Sequence, residues 1–182
     1  MFRDLVLKNR STRHFHQDKI ERKTLLELID LARISATATN KQPLKYVLSC
    51  EPEKNALIFS YISMAGAPQE NQRPTAYIVV VADRNLRASA GLDPGIAAQT
   101  ILLGATEMGL GGCMIGLVNR PELKQALHLP DNCDVSLVIA IGKPDETFTF
   151  ESIGPGGDTQ GYWDNKGTRH IPKRRLEDII IG

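Results

Sequence analysis

The chain is 182 residues long with a net charge of +1, long enough for one domain with a real core and too neutral to suggest nucleic acid as a partner. Hydrophobic residues at 42% and charged residues at 24% describe a globular, soluble protein, and no apolar run reaches the length of a membrane span. Cys50, Cys113 and Cys133 suit neither a disulfide framework nor a metal cluster, and the N-terminus lacks a signal-peptide core, so a reducing cytoplasm is the expected compartment.

Phe2, Leu5 and Val6 recur at turn-like spacing and predict a first helix at Asp4–Asn9. It stops at Arg10-Ser11-Thr12-Arg13, followed by His14-Phe15. Arginine clamps a phosphate with two hydrogen bonds and a hydroxyl adds a third, so this cluster is a candidate anion site. The plainer alternative is a solvated basic turn. Ile20–Ala32 is an amphipathic helix with Leu25, Leu28, Ile29 and Ala32 as its apolar stripe, and it could extend to Ile34. The periodicity then gives way to a loop through Pro43, which pushes Gln42 out of the helical region. Asn40 and Gln42 are two amides two residues apart. They can pair with the donor and acceptor edge of a heterocycle or satisfy local backbone groups.

Leu44–Cys50 predicts a strand, Glu51–Phe59 a helix opened by Pro52, and Tyr61–Arg73 a loop of a length that often borders a site. Pro74–Ala82 has the continuous apolar run of a central strand. The stretch Ala88–Val118 organises the chain. From Pro94 to Met108 its apolar residues recur at helical spacing and almost nothing is charged, so the helix should be buried on most sides. Ile96, Ala97, Thr100, Ile101, Gly104, Ala105 and Met108 are its expected buried face, and its small residues would let another helix approach. Gly109-Leu110-Gly111-Gly112 closes it, either as a plain C-cap or as backbone left free to meet a ligand or a second subunit.

Arg120–Leu127 predicts a short helix with Pro121 and Glu122 in its first turn, and Asp134–Ile141 a second central strand. Glu151–Thr168 is glycine-rich and polar and builds little core. The basic run Arg169–Arg175 leads into the apolar Leu176–Ile181, expected to form a final strand in its own sheet or in a partner's. No linker or repeat divides the chain, so 1–182 is expected to be a single domain. The glycine run follows a helix rather than a strand, so it is not a dinucleotide fingerprint, and the four histidines show no metal-ligand spacing. Asp83 and Asp93 make no obvious acid–base pair, and Ser11 has no triad context. A chain without a side-chain nucleophile, a metal or an acid–base pair leaves the chemistry to a cofactor.

Four motifs in order resemble the FMN-dependent nitroreductase family, and the chain is similar to its smaller members. Arg10-Ser11-Thr12-Arg13 with Phe15 is similar to the family's phosphate-binding motif. Thr37 through Pro43 is similar to the segment whose flavin-facing amides match Asn40 and Gln42. Asp93-Pro94-Gly95-Ile96-Ala97-Ala98-Gln99 through Gly116 is similar to the central helix and glycine turn, and Pro172-Lys173-Arg174-Arg175 with Leu176 and Glu177 to the basic return to the phosphate. Thr37 stands where a serine is common and Leu44 where the pattern often has an aromatic. The Tyr61–Arg73 region is shorter than in larger members, and the Gly156–Thr168 loop, with Tyr162 and Trp163, resembles a pocket-covering loop of small relatives.

The resemblance implies an α+β fold, a mixed sheet packed with helices, and an intertwined homodimer with two FMN sites at the subunit interface. It implies that Arg10, Ser11 and Arg175 meet the FMN phosphate, with Lys173 or Arg174 as substitutes. Arg13 would approach the pyrimidine side, and Thr37, Asn40 and Gln42 would lie along the isoalloxazine. Backbone near Gly111 and Gly112 would fit beside the ring, where a Cβ could collide with it. The implied activity is a ping-pong oxidoreduction from NAD(P)H to nitroaromatics, quinones or free flavins. Another flavin chemistry on the same scaffold, such as dehalogenation or flavin fragmentation, and a flavin-binding protein without fast turnover are the alternatives.

Overall fold

The structure is a computed structural model that describes residues 1–64, 66 and 68–182. The chain divides into two compact units, Met1–Pro144 and Asp145–Gly182.

The first unit begins with helix α1 (Phe2–Lys8), strand β1 (Phe15–His16) and helix α2 (Arg22–Ile34). Strand β2 (Leu44–Ser49), helix α3 (Pro52–Ser60) and strand β3 (Ala76–Asp83) follow. Helix α4 (Asp93–Glu107), strand β4 (Gly111–Ile115), helix α5 (Arg120–Ala126) and strand β5 (Cys133–Pro144) complete it. The sheet runs β1-β5-β3-β2, with β4 also paired to β5. Among the described residues its strand pairings are antiparallel, and a parallel bridge joins Ser11 to Gly112. Single turns of 3-10 helix lie at Ala38–Asn40 and Glu70–Gln72. The Tyr61–Arg73 loop predicted from sequence includes residues 65 and 67, which lie outside the described residues.

All eight residues of β3 are buried, as its continuous apolar run requires, because helices cover both faces of the sheet. Alternation along the strand sends Ala76, Ile78 and Val80 into one cluster with Leu25 and Leu28 of α2 and Ala98 and Ile101 of α4. It sends Tyr77, Val79 and Val81 into another with Phe15, Ile58 of α3 and Leu123 of α5. Cys50, Cys113 and Cys133 are buried thiols.

Helix α4 occupies the place its sequence demanded, with its stripe rotated from the predicted one. Ala97, Ala98, Ile101, Leu102, Gly104 and Ala105 are buried, whereas Ile96 and Met108 are each 40% exposed. The helix that approaches its small residues is α2: a Cβ on Gly104 would lie 2.5 Å from Leu31 Cδ1. Gly109, at φ 74, ends the helix, and the Leu110 N–H donates back to Ala105 O at 2.8 Å. No helix among the described residues is long and apolar enough to cross a membrane.

The second unit is a three-stranded mixed sheet, ordered β6-β8-β7, from β6 (Thr147–Ile153), β7 (Tyr162–Trp163) and β8 (Thr168–Arg174). β6 pairs with β8 in parallel and β7 with β8 antiparallel. Composition pointed to a coreless loop there, and the strands β6 and β8 went unread. The segment Leu176–Ile181 forms no strand in this chain's own sheets: it is a 3-10 turn at Leu176–Asp178 followed by irregular chain. Leu176, Ile179 and Ile180 are more than half exposed.

Candidate cofactor site

The basic N-terminal motif is fastened to α4 by the residue before it. The Asn9 amide donates to Leu102 O and Thr106 Oγ1, both at 2.9 Å, and accepts from Gln99 Nε2 at 3.4 Å. The chain then runs beside β4, where the Thr12 N–H donates to Gly112 O at 3.0 Å. This alternation buries Thr12 and leaves Ser11 exposed, with Arg10 and Arg13 partly covered. The Arg10 guanidinium donates to Val6 O at 2.6 Å and to Leu7 O at 3.3 Å, so it also caps the carbonyl end of α1. Partial burial lowers its pKa by desolvation. Arg13 donates to Ser11 O at 3.3 Å.

The amide loop is fastened to the other end of the same helix. Asp93, 1% exposed, accepts from the Ala38 N–H at 2.9 Å and pairs with Arg87 at 3.5 Å. Beyond that anchor the backbone is strained. Thr39, Asn40 and Gln42 have φ of 52, 53 and 48°, a region that costs a non-glycine residue about 1–3 kcal/mol. Pro43 does drive Gln42 out of the right-handed helical region, here into the left-handed one. The loop presents both amides to solvent, and Gln42 Nε2 donates to Asn40 Oδ1 at 3.1 Å. At the start of the loop the Thr37 hydroxyl is buried and has no hydrogen-bond partner among the described residues.

Helix α4 thus carries a cationic segment and an amide segment on one rigid element. Nine residues separate Asp93 from Leu102, about 13.5 Å at ~1.5 Å per residue. A ligand that engages both must be elongated, with negative charge for the cationic segment and hydrogen-bonding groups for the amides. Asn9 and Asp93 went unread as anchors. Asn9 stood only as the end of a short helix, and Asp93 was weighed as an acid and not as a brace. An acid opening a helix with no further charge before Glu107 was the available signal. Asp83, the other acid considered, pairs with Lys45 at 2.6 Å and accepts from Asn132 at 2.6 Å, a second brace.

Gly111 and Gly112 sit within β4 and are buried. A Cβ on Gly112 would lie 2.1 Å from Ala140 O, and one on Gly111 2.7 Å from Thr12 Oγ1. The chain's own packing therefore calls for glycine at both positions. Lys173 and Arg175 belong to the second unit. Lys173 is exposed on β8, and Arg175 pairs with Asp178 at 3.0 Å and Glu177 at 3.2 Å.

The model of the nitroreductase family matches residues 6–76 and 51–143. A 4-nitrobenzoate reductase of Pseudomonas putida is 26% identical over 213 residues, covering 88% of this chain and 93% of the relative. The structure of a nitroreductase family protein of Clostridium novyi NT superposes with a TM-score of 0.70 at 29% identity, covering 80% of this chain and 86% of that one. An FMN-dependent nitroreductase of Clostridium difficile R20291 gives a TM-score of 0.68 at 25% identity, covering 78% and 87%.

Proposed function

The chain belongs to the nitroreductase family of oxidoreductases, and we propose that it is an FMN-dependent enzyme passing reducing equivalents from NAD(P)H to nitroaromatic, quinone or flavin acceptors. The observation that carries this reading is the pair of polar segments anchored to α4 at Asp93 and Leu102, positions about 13.5 Å apart along the helix axis at ~1.5 Å per residue. The residues present suit FMN. Arg10, Ser11 and Arg13 supply cationic and hydroxyl groups for a phosphate and for negative charge on the ring. Asn40 and Gln42 stand exposed on a strained backbone, ready to exchange their mutual bond for a heterocycle's edge, and the unpartnered Thr37 hydroxyl lies at the start of their loop. Lys173 and Arg175 are assigned to the phosphate, and the backbone of Gly111 and Gly112 to the ring's surroundings, by their motif positions. FMN, when bound, supplies the hydride chemistry, while the chain binds, orients and tunes it.

Residues 1–182 act in this reading as one FMN-binding domain within a homodimer. Exposed apolar side chains support the dimer: Phe2 and Leu7 of α1, Leu92, Ile96 and Met108 at and around α4, and the tail from Leu176 to Ile181. The proposed cycle is ping-pong, with the donor leaving before the acceptor enters.

Titrating apoprotein with FMN tests the site. Arg10→Ala removes charge-assisted bonds of about 1.5–3 kcal/mol, so FMN affinity should fall roughly 10- to 150-fold. Because Arg10 also caps α1, the melting temperature is measured beside it. Unchanged FMN affinity sinks the assignment. Initial rates at varied NADH or NADPH and a quinone should give parallel double-reciprocal lines, and converging lines rule out the ping-pong cycle.

A further inference from the structure

A second site lies on the β3 face that points away from α4. The chain entering β3 passes Arg73 and Thr75, just before the strand, and Tyr77, its second residue. They line a cavity of about 370 Å3 with Phe59 and Ala56 of α3, a size within the about 300–1,000 Å3 of small-molecule sites. Arg73 Nε, Thr75 Oγ1 and the Tyr77 hydroxyl are all buried without a hydrogen-bond partner among the described residues. The Tyr77 side chain is 1% exposed. Buried polar groups are rarely left unmatched, and three around one cavity mark a place where something else completes them.

The segment that carries Arg73 and Thr75 is held in place from behind. Gln17 Nε2 donates to Arg73 O at 3.1 Å. Asn55 Nδ2 donates to Thr75 O at 2.7 Å, while Asn55 Oδ1 accepts from the Ser49 hydroxyl at 2.7 Å. The Arg73 guanidinium lies over the Phe59 ring, 4.3 Å from its centroid. The two hydrogen bonds hold the main chain at Arg73 and Thr75, and the ring contact holds the Arg73 guanidinium, which limits the ordering cost of binding.

The chemistry of the three groups defines the occupant. An arginine Nε–H only donates, and both hydroxyls can donate. Burial raises the Tyr77 pKa, so its hydroxyl keeps its proton. The occupant must bring acceptors. Arg73 and Lys19 are set against one lining carboxylate, Glu70, so it should also bring negative charge. The remaining walls, including Pro52, Pro74 and Phe59, are apolar and suit a hydrocarbon body. We infer that this cavity binds a small organic monocarboxylate, its oxygens meeting Arg73, Thr75 and Tyr77 and its apolar body lying along Phe59. None of the residues proposed for FMN lines it, so the inference stands independently of the flavin reading.

Calorimetric titration of the full-length protein with benzoate tests the site. Saturable binding is expected, about tenfold or more weaker in Arg73→Gln and severalfold weaker in Tyr77→Phe, which removes only a hydroxyl. Ala56→Trp, at an exposed helical position, should block the cavity and abolish binding while leaving the melting temperature close to that of the parent. Benzyl alcohol keeps the body without the charge and inorganic phosphate keeps the charge without the body, so neither should displace benzoate. Arg10→Ala should bind benzoate as the parent does. No saturable binding, benzoate affinity untouched by both Arg73→Gln and Ala56→Trp, or loss of benzoate binding in Arg10→Ala overturns the inference. So does a benzoate-soaked crystal with only water on the three atoms.

Discussion

The two sheets of this chain are held by different physics. In β3 every residue is buried and the neighbouring α2, α3 and α4 supply apolar cover, so its stability comes from surface removed from water. In β6 no residue is fully buried, and in β8 only Pro172 is. A polar cluster joins the strands instead. His170 on β8 sits between Glu151 on β6 and Asp164, at 3.3 Å from the latter. Tyr162 on β7 stacks on His170 with ring centroids 4.6 Å apart and donates to Glu151 at 2.7 Å. The contrast teaches that a strand can be specified by hydrophobic pattern or by charged pairing, and that only the second kind responds to pH.

The largest test falls on the apolar sheet. Ile78→Ala empties a fully buried position and should cost about 2–5 kcal/mol in denaturant unfolding. A loss below about 1 kcal/mol would mean that β3 is not held by its core. Next comes Gly112→Ala, whose methyl would meet Ala140 O at 2.1 Å and push β4 from β5. A cost of about 1–3 kcal/mol is expected, with weaker FMN binding because Ser11 and Thr12 pair with Gly112. Normal stability there would show that the strand edge yields freely.

The smallest effect belongs to the polar sheet. The bond to Glu151, then that to Asp164, raises the His170 pKa. Its contribution is therefore complete below the unfolded histidine pKa of about 6.5 and is lost as pH rises through the folded value. Glu151 is depressed by its bonds from Tyr162 and His170, and Asp164 by the Thr168 N–H and then His170. Their contributions hold above about pH 4.3 and 3.9 and are lost as pH falls through the folded values. Amide protection factors in β6–β8, with the intrinsic pH dependence of exchange divided out, should accordingly be highest at mildly acidic pH, and His170→Ala should flatten that profile while the global melting temperature barely moves. A profile as steep in the variant as in the parent would assign the pH dependence elsewhere.

Legibility from sequence followed the same division. The helices α2 to α5 and the central strands β3 and β5 were readable to within a few residues, because burial on a helical or continuous period leaves a direct trace in residue type. β6 and β8 were not: β8 carries Arg169, His170, Pro172 and Lys173 in place of apolar alternation, and the only such signal in β6 is the short alternation of Phe148 and Phe150 with Thr147 and Thr149. The candidate site was legible as motifs and not as a construction. Arg10, Ser11, Asn40 and Gln42 were singled out by type and spacing, whereas their anchors Asn9 and Asp93 act across some 90 and 55 residues. The trio of Arg73, Thr75 and Tyr77 left no trace at all, since an unmatched donor is defined only by what surrounds it.

By itself the sequence determined the buried central helix α4, the apolar strands beside it and the order of the polar motifs along the chain, because each is a local statement about which side chains avoid or seek water. Tertiary structure alone decided which face of α4 turns inward, which glycines are compelled by a neighbour's backbone, and that two distant motifs are fastened to opposite ends of one helix. Those outcomes depend on contacts between residues far apart in the chain, and no local pattern encodes the distance between them.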